Sequence, residues 1–197
     1  TLTNVEEGKN IKVYFSDNSQ EYFDFLIIAD GIFSQSKSTI LNKSFSPKYN
    51  NSIAIRAKLK ECNFENISIF MGSNFHYVTY PINQNNEYNF VAILKKKLTT
   101  SDLNYDKNSP KEFKNLLKEI LNKNSKIKFE NLSEIKAFPV FVSKNFPNIN
   151  QKNIFFSGDA LFAFSPSFAQ GASQSIETAQ DIFDCIISKS DHSYKNR

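Results

Sequence analysis

Two kinds of hydrophobic pattern alternate along the chain. Ser52 to Lys60, SIAIRAKLK, switches strictly between apolar and polar positions. Ile53, Ile55, Ala57 and Leu59 fall on one side and Arg56, Lys58 and Lys60 on the other, the period of a half-exposed strand. Ile67 to Met71, Phe75 to Tyr80 and Glu87 to Leu94 predict further strands, separated by Gly72-Ser73-Asn74 and by Asn83-Gln84-Asn85-Asn86. The middle of the chain therefore predicts an antiparallel sheet. Asp24 to Ala29 is instead a nearly continuous apolar run, the pattern of a strand covered on both faces, and Ile154-Phe155-Phe156 is a shorter run of the same kind. Ile11 to Phe15, after the turn signal Glu6-Glu7-Gly8, predicts an opening antiparallel hairpin. Ile135 to Val142 contains Pro139, which favours an edge strand or a bend.

Helical spacing is carried by two stretches. Ser109-Pro110-Lys111-Glu112 reads as a capping box with proline at the first helical position, followed by the stripe Phe113, Leu116, Leu117, Ile120 and Leu121. Ala172, Ile176, Ala179, Phe183 and Ile186 predict a second helix, starting near Gln170 or Gly171 after Pro166 and a loop of small residues. A third helix is expected from about Ser34 to Leu41. The fold class is α+β.

Composition narrows the function more than it specifies it. With 197 residues, 40% hydrophobic, including 20 Phe and 8 Tyr, the chain can form one core or parts of two. Lys+Arg 24 against Asp+Glu 20 leaves a net charge of +4 without a long basic run, so nucleic acid is not an expected partner. No apolar stretch approaches the ~18 residues of a membrane span and no signal-peptide core opens the chain, so a soluble, cytoplasmic protein is expected. Cys62 and Cys185 have no metal-ligand spacing, and no metal site is expected. The chain opens on Thr1 and its only methionine is Met71, so it is expected to begin inside a longer protein. None of its five glycines forms the Gly-x-Gly-x-x-Gly turn that holds a dinucleotide pyrophosphate.

Candidate chemistry gathers where two covered strands end. Asp30-Gly31 closes the first and Gly158-Asp159 the second, placing carboxylates at carboxyl edges of strands. The helix that begins near Gly171 brings unpaired N–H groups and about half a positive charge, which suits an electron-rich group lying against it.

These residues resemble two motifs of the FAD-dependent aromatic hydroxylases, the group A flavoprotein monooxygenases. Gly158-Asp159-Ala160, Pro166, Ala169-Gln170-Gly171-Ala172 and Ile176-Glu177 keep the order and spacing of the family's second flavin motif. The resemblance implies that Asp159 bonds the ribityl chain of FAD, that Pro166 lies beside the isoalloxazine ring, and that the backbone at Gln170, Gly171 and Ala172 points at its pyrimidine end. A carboxylate accepting a ribityl hydroxyl makes a charge-assisted bond worth about 1.5–3 kcal/mol. Asp30, Gly31, Ser34 and Lys37 match the family's Asp-Gly motif, with lysine where arginine is common. That motif implies proximity to the FAD pyrophosphate, with Asp30 bonding backbone N–H groups of its own loop and Gly31 letting the backbone pass close. Phe162 and Thr178 depart from the His and Asp found in many relatives.

FHYVTYPINQNNEYNFVAILKK is similar to the second domain of the salicylate-hydroxylase-like branch, with Tyr80-Pro81 and Asn89-Phe90-Val91-Ala92 in adjacent strands. That sheet roofs the substrate cavity in relatives, which makes Arg56, His76, Tyr80 and Phe138 candidates for lining it. Each has another reading: Arg56 as a solvated side chain beside Lys58 and Lys60, His76 as a packed or surface residue, Phe138 as core, with Tyr80 open in the same way. No catalytic residue is assigned, and His192 lies in a polar tail.

The implied organisation is a Rossmann-like FAD-binding domain, in part, from residues 1–45 and 143–190, an antiparallel-sheet substrate domain over 46–142, and a frayed tail at 191–197. The first βαβ unit of the family would lie upstream, and the isolated 197 residues are expected not to retain FAD. The implied reaction is hydroxylation of an aromatic small molecule with NAD(P)H and O₂ through a flavin C4a-hydroperoxide. The alternatives are a flavin-dependent reductase, a halogenase-like relative, or a truncated non-catalytic protein of the same fold.

Overall fold

The computed structural model describes residues 1–60, 65–82, 86–99, 111–124 and 127–188. Among the described residues, ten strands and three α-helices form two compact units, one from residues 1–48 and from 141 onward and one from residues 49–140. The first half of the capping box (Ser109-Pro110), Cys62, most of the Asn83–Asn86 turn and the 191–197 tail with His192 lie outside the described residues.

The 49–140 unit is built on a five-stranded sheet of order β6-β7-β8-β5-β9, comprising β5 (Lys48–Leu59), β6 (Ser68–Met71), β7 (Phe75–Pro81), β8 (Tyr88–Lys95) and β9 (Leu132–Val142). The β6–β7, β7–β8 and β8–β5 pairings are antiparallel, and the register sets Ile55 opposite Ala92 and Ala92 opposite Tyr77. The strict alternation of β5 has a simple outcome. Ile53, Ile55, Ala57 and Leu59 are buried with Tyr77 and Phe90 against Phe113, Leu117 and Leu121 of α2 (Lys111–Asn124). Pro139 is tolerated because β9 is an edge strand.

In the other unit, β1 (Leu2–Glu7), β2 (Ile11–Phe15) and β3 (Gln20–Phe23) form an antiparallel meander, one strand more than the hairpin expected. All four β3 residues are exposed, so no apolar alternation marked it. Parallel to each other run β4 (Leu26–Ile28) and β10 (Ile154–Phe156), with Phe155 opposite Ile27 and Phe156 opposite Ile28. Ile11 and Val13 of the meander pack on Ile28, Ile154 and Phe156. Glu7 Oε1 accepts the N–H groups of Lys152 at 2.8 Å and Asn153 at 2.9 Å, tying the end of β1 to the start of β10.

Helix α3 (Gly171–Ser188) covers the opposite face of β10 through Ile182 and Cys185 on Phe155. One expectation is corrected here. The Asp24–Ala29 run is not covered on both faces: α3 lies over Phe155 while its neighbour Ile27 stays 52% exposed, and Phe25 is exposed as well. Of the residues whose spacing predicts α3, Ile186 packs against the Phe155 cluster, while Ile176 is 71% exposed and Phe183 also faces out. The inward face runs through Ser175, Thr178, Ile182 and Cys185. Among the described residues no helix is long and apolar enough to cross a membrane, a statement that leaves β-barrels aside.

Candidate flavin cleft

The parallel pairing of β4 and β10 sends two loops out from the same edge. Ser157 N–H donates to Ile28 O at 2.9 Å, so Ala29-Asp30-Gly31 and Ser157-Gly158-Asp159 leave the strands side by side. This is the carboxyl edge at which open α/β sheets bind ligands. After Gly158 a 3₁₀ turn over Gly158–Ala160 and a second over Pro166–Phe168 lead to α3, with Ala169 in the left-handed region.

The amino end of α3 returns to the strand ends because Gly158 lets it. Gly158 has φ +57°, and a Cβ there would meet Ser175 Oγ at 2.9 Å. Ser175 Oγ donates to Gly171 O at 2.8 Å, fixing the hydroxyl beside the glycine. An open cleft of ≈ 490 Å³ results, lined by Ala29, Gly31, Ser157, Gly158, Asp159 and the first turn of α3. A Cβ on Gly31 or Gly171 would meet nothing within 4 Å, so the space above both backbones is clear.

Electrostatically the cleft pairs one anion with one positive helix end. Asp159 is exposed and forms no hydrogen bond or ion pair among the described residues. The first-turn N–H groups of the 18-residue helix have no acceptor within it, and no acidic residue sits in that turn. Gln170 O receives Gln174 N–H at 2.9 Å and Ser173 Oγ at 3.0 Å, so Gln170 opens the helix rather than lining the cleft. Pro166 is exposed at the first position of its 3₁₀ turn and is not part of the lining either. Asp30 turns to its own loop, its Oδ2 accepting Ser36 N–H at 3.3 Å, while Ser34 Oγ caps α1 (Gln35–Ile40) by accepting Lys37 N–H at 2.9 Å.

Of the cofactor candidates, Gly31, Gly158, Asp159, Gly171 and Ala172 thus line one cleft, and Asp30, Pro166 and Gln170 flank it in the chain. Ser175 was missed by sequence reasoning. Its only signal is its place one helical turn after Gly171.

The four candidates in the other unit share a face. Arg56 pairs with Val91 and Val91 with Val78, His76 pairs with Ile93, and Tyr80 pairs with Asn89. These alternate with the residues buried under α2, so Arg56, His76 and Tyr80 stand on the sheet face away from that helix. Phe138 follows buried Ala137 and falls on that face too. Of the two departures from the motif, Phe162 stacks on Phe146 at 4.3 Å between ring centroids, and Thr178 Oγ1 donates to Gln174 O. Among the described residues, no group of three or more His, Cys, Asp or Glu could hold a metal ion.

Solved structures of several hydroxylases share the fold of this chain. The structure of 2,6-dihydroxypyridine-3-hydroxylase from Arthrobacter nicotinovorans matches with a TM-score of 0.75 at 16% identity, covering 98% of this chain and 57% of that one. A salicylate hydroxylase substrate complex matches at 0.71 and 16% identity, covering 90% and 49%. HpxO of Klebsiella pneumoniae, solved with FAD and uric acid, matches at 0.67 and 17% identity, covering 89% and 46%. The likeness is one of fold, and the chain spans about half the length of these structures. No protein-family model and no curated protein matches the sequence.

Proposed function

We propose that the chain is the ring-end half of the flavin site, together with the substrate-facing sheet, of a FAD-dependent monooxygenase. The enzyme would use NAD(P)H and O₂ to hydroxylate an aromatic small molecule. In this reading residues 1–45 and 143–190 serve FAD and residues 46–142 serve the substrate. The observation that carries it is the convergence of Gly31, Gly158, Asp159, Gly171 and Ala172 on one cleft.

The cleft fits the group. Asp159 has a carboxylate without a protein partner among the described residues, able to accept a ribityl hydroxyl. Gly171 and Ala172 begin a helix whose N–H groups suit the electron-rich pyrimidine edge, and the clear space above Gly31 and Gly171 admits a flat ring. Asp30 shapes its loop through Ser36 N–H, and Gly31 keeps φ +82° where the chain turns. FAD bound there would supply oxygen activation, chemistry that the cofactor rather than the protein carries. Arg56 presents a guanidinium suited to an anionic substrate, with Tyr80, His76 and Phe138 on the same sheet face. The uric acid bound by HpxO is in keeping with a small ring substrate.

The experiment is oxygen accounting on the full-length protein. Flavin released on denaturation should be stoichiometric FAD, and ¹⁸O₂ should label the product of an aromatic substrate as NAD(P)H is consumed. Absence of flavin overturns the proposal. NAD(P)H oxidation without label favours a reductase, the reading supported by Phe162, whose stacked ring offers no titratable group.

A further inference from the structure

The 1–48 and 141–197 unit holds a second cavity, of ≈ 230 Å³, that shares no lining residue with the flavin cleft. Three lysines border it, Lys37, Lys43 and Lys144, and none of its lining residues is acidic. Lys43 and Lys144 are exposed. Lys37 is different: it is only 4% exposed, and no carboxylate lies within ion-pair distance among the described residues. Its Nζ stands over the Phe45 ring at 5.2 Å. Asp30 is the acid whose field reaches it, but Asp30 Oδ2 is engaged by Ser36 N–H.

A buried ammonium without a counter-ion is a standing cost to the fold unless something compensates it. Burial lowers the Lys37 pKa, an effect that Asp30 only partly opposes. Ser44, Ser46 and Asn145 add hydroxyl and amide donors to the wall, while Phe45 and Phe146 supply apolar surface. Three cations against no acid suit a dianion, and the rings suit an organic group attached to it.

We propose that this cavity binds a small organic phosphate, its dianion held by Lys37, Lys43 and Lys144 and its apolar part by Phe45 and Phe146. The cavity is separate from the flavin cleft, and although Lys37 belongs to the Asp-Gly motif, Lys43 and Lys144 lie in neither flavin motif, so varying them tests this site apart from the flavin reading. The full-length protein is titrated calorimetrically with phenyl phosphate and with inorganic phosphate at fixed ionic strength. Phenyl phosphate should bind more tightly than inorganic phosphate. The double variant Lys43→Gln/Lys144→Gln, at two exposed positions, should weaken it about 10-fold or more with FAD content unchanged. Lys37→Met should also lose the ligand while raising the urea midpoint, which separates a binding lysine from a structural one. Lys9→Gln, outside the cavity, should change neither. Equal affinity for the two phosphates, or affinity within about two-fold of wild type in the double variant, overturns the proposal.

Discussion

One methyl group at Gly158 tests how the cleft is assembled. The residue has φ +57°, and an added Cβ would lie 2.9 Å from Ser175 Oγ and 3.6 Å from Ser175 Cβ. Alanine in the left-handed region costs about 1–2 kcal/mol. The Ser175 hydroxyl must also move, and its 2.8 Å bond to Gly171 O is worth about 0.5–1.5 kcal/mol net. Reduced freedom of the unfolded chain returns about 0.4–1 kcal/mol. Gly158→Ala should therefore destabilise by about 1–3 kcal/mol, a fall in urea midpoint of about 0.5–1.5 M at a slope near 2 kcal/mol/M.

Ser175→Ala removes the hydroxyl and leaves only the 3.6 Å contact, an ordinary one. In the double variant the steric part should vanish and the backbone part remain, a coupling of about 1 kcal/mol in a double-mutant cycle. The assay is urea unfolding followed by far-ultraviolet circular dichroism. Effects that add within about 0.3 kcal/mol would refute the claim that Gly158 is required by the approach of Ser175.

Three further outcomes follow from the other unit. Thr79 is fully buried and its Oγ1 has no hydrogen-bond partner among the described residues, so Thr79→Val should stabilise by about 1 kcal/mol in thermal unfolding. A Cβ on Gly72 would come within 2.3 Å of the Phe75 ring, so Gly72→Ala should cost about 1–3 kcal/mol by displacing that ring, visible as a lower urea midpoint. The 2.7 Å bond from Lys58 Nζ holds Glu134 below the ordinary glutamate pKa. Its contribution is present above the ordinary value and is lost as pH falls through the depressed one. Lys58→Met should thus flatten the dependence of the unfolding midpoint on pH between about 5 and 3.

The sheet of residues 49–140 was legible because each strand buries one face only, so β5 writes its environment into alternate positions. The α1 start was equally open, since Ser34 is a capping residue directly after a strand and turn. The face of α3 was not. That helix carries Ile176, Ile182, Phe183, Ile186 and Ile187, apolar on more than one side, and period alone cannot choose among stripes. What chose was the close approach of Ser175 to Gly158, a contact between small residues that hydrophobicity does not register. The burial of Lys37 was hidden for a related reason. Residue type predicts an exposed lysine, and the cavity around it is formed by loops distant in the chain. Glu134, at φ +53° within β9, likewise has no signal in its residue type.

The most direct test of the account is the FAD affinity of the full-length protein with Asp159→Ala. Asp159 is exposed and without a partner among the described residues, so the fold should persist and the unfolding free energy should move by less than about 0.5 kcal/mol. If Asp159 makes the proposed charge-assisted bond to the ribityl chain, its loss predicts FAD binding weaker by about 10- to 100-fold in fluorescence-quenching titrations. Unchanged FAD affinity in a folded Asp159→Ala protein would contradict the assignment of this cleft to the flavin.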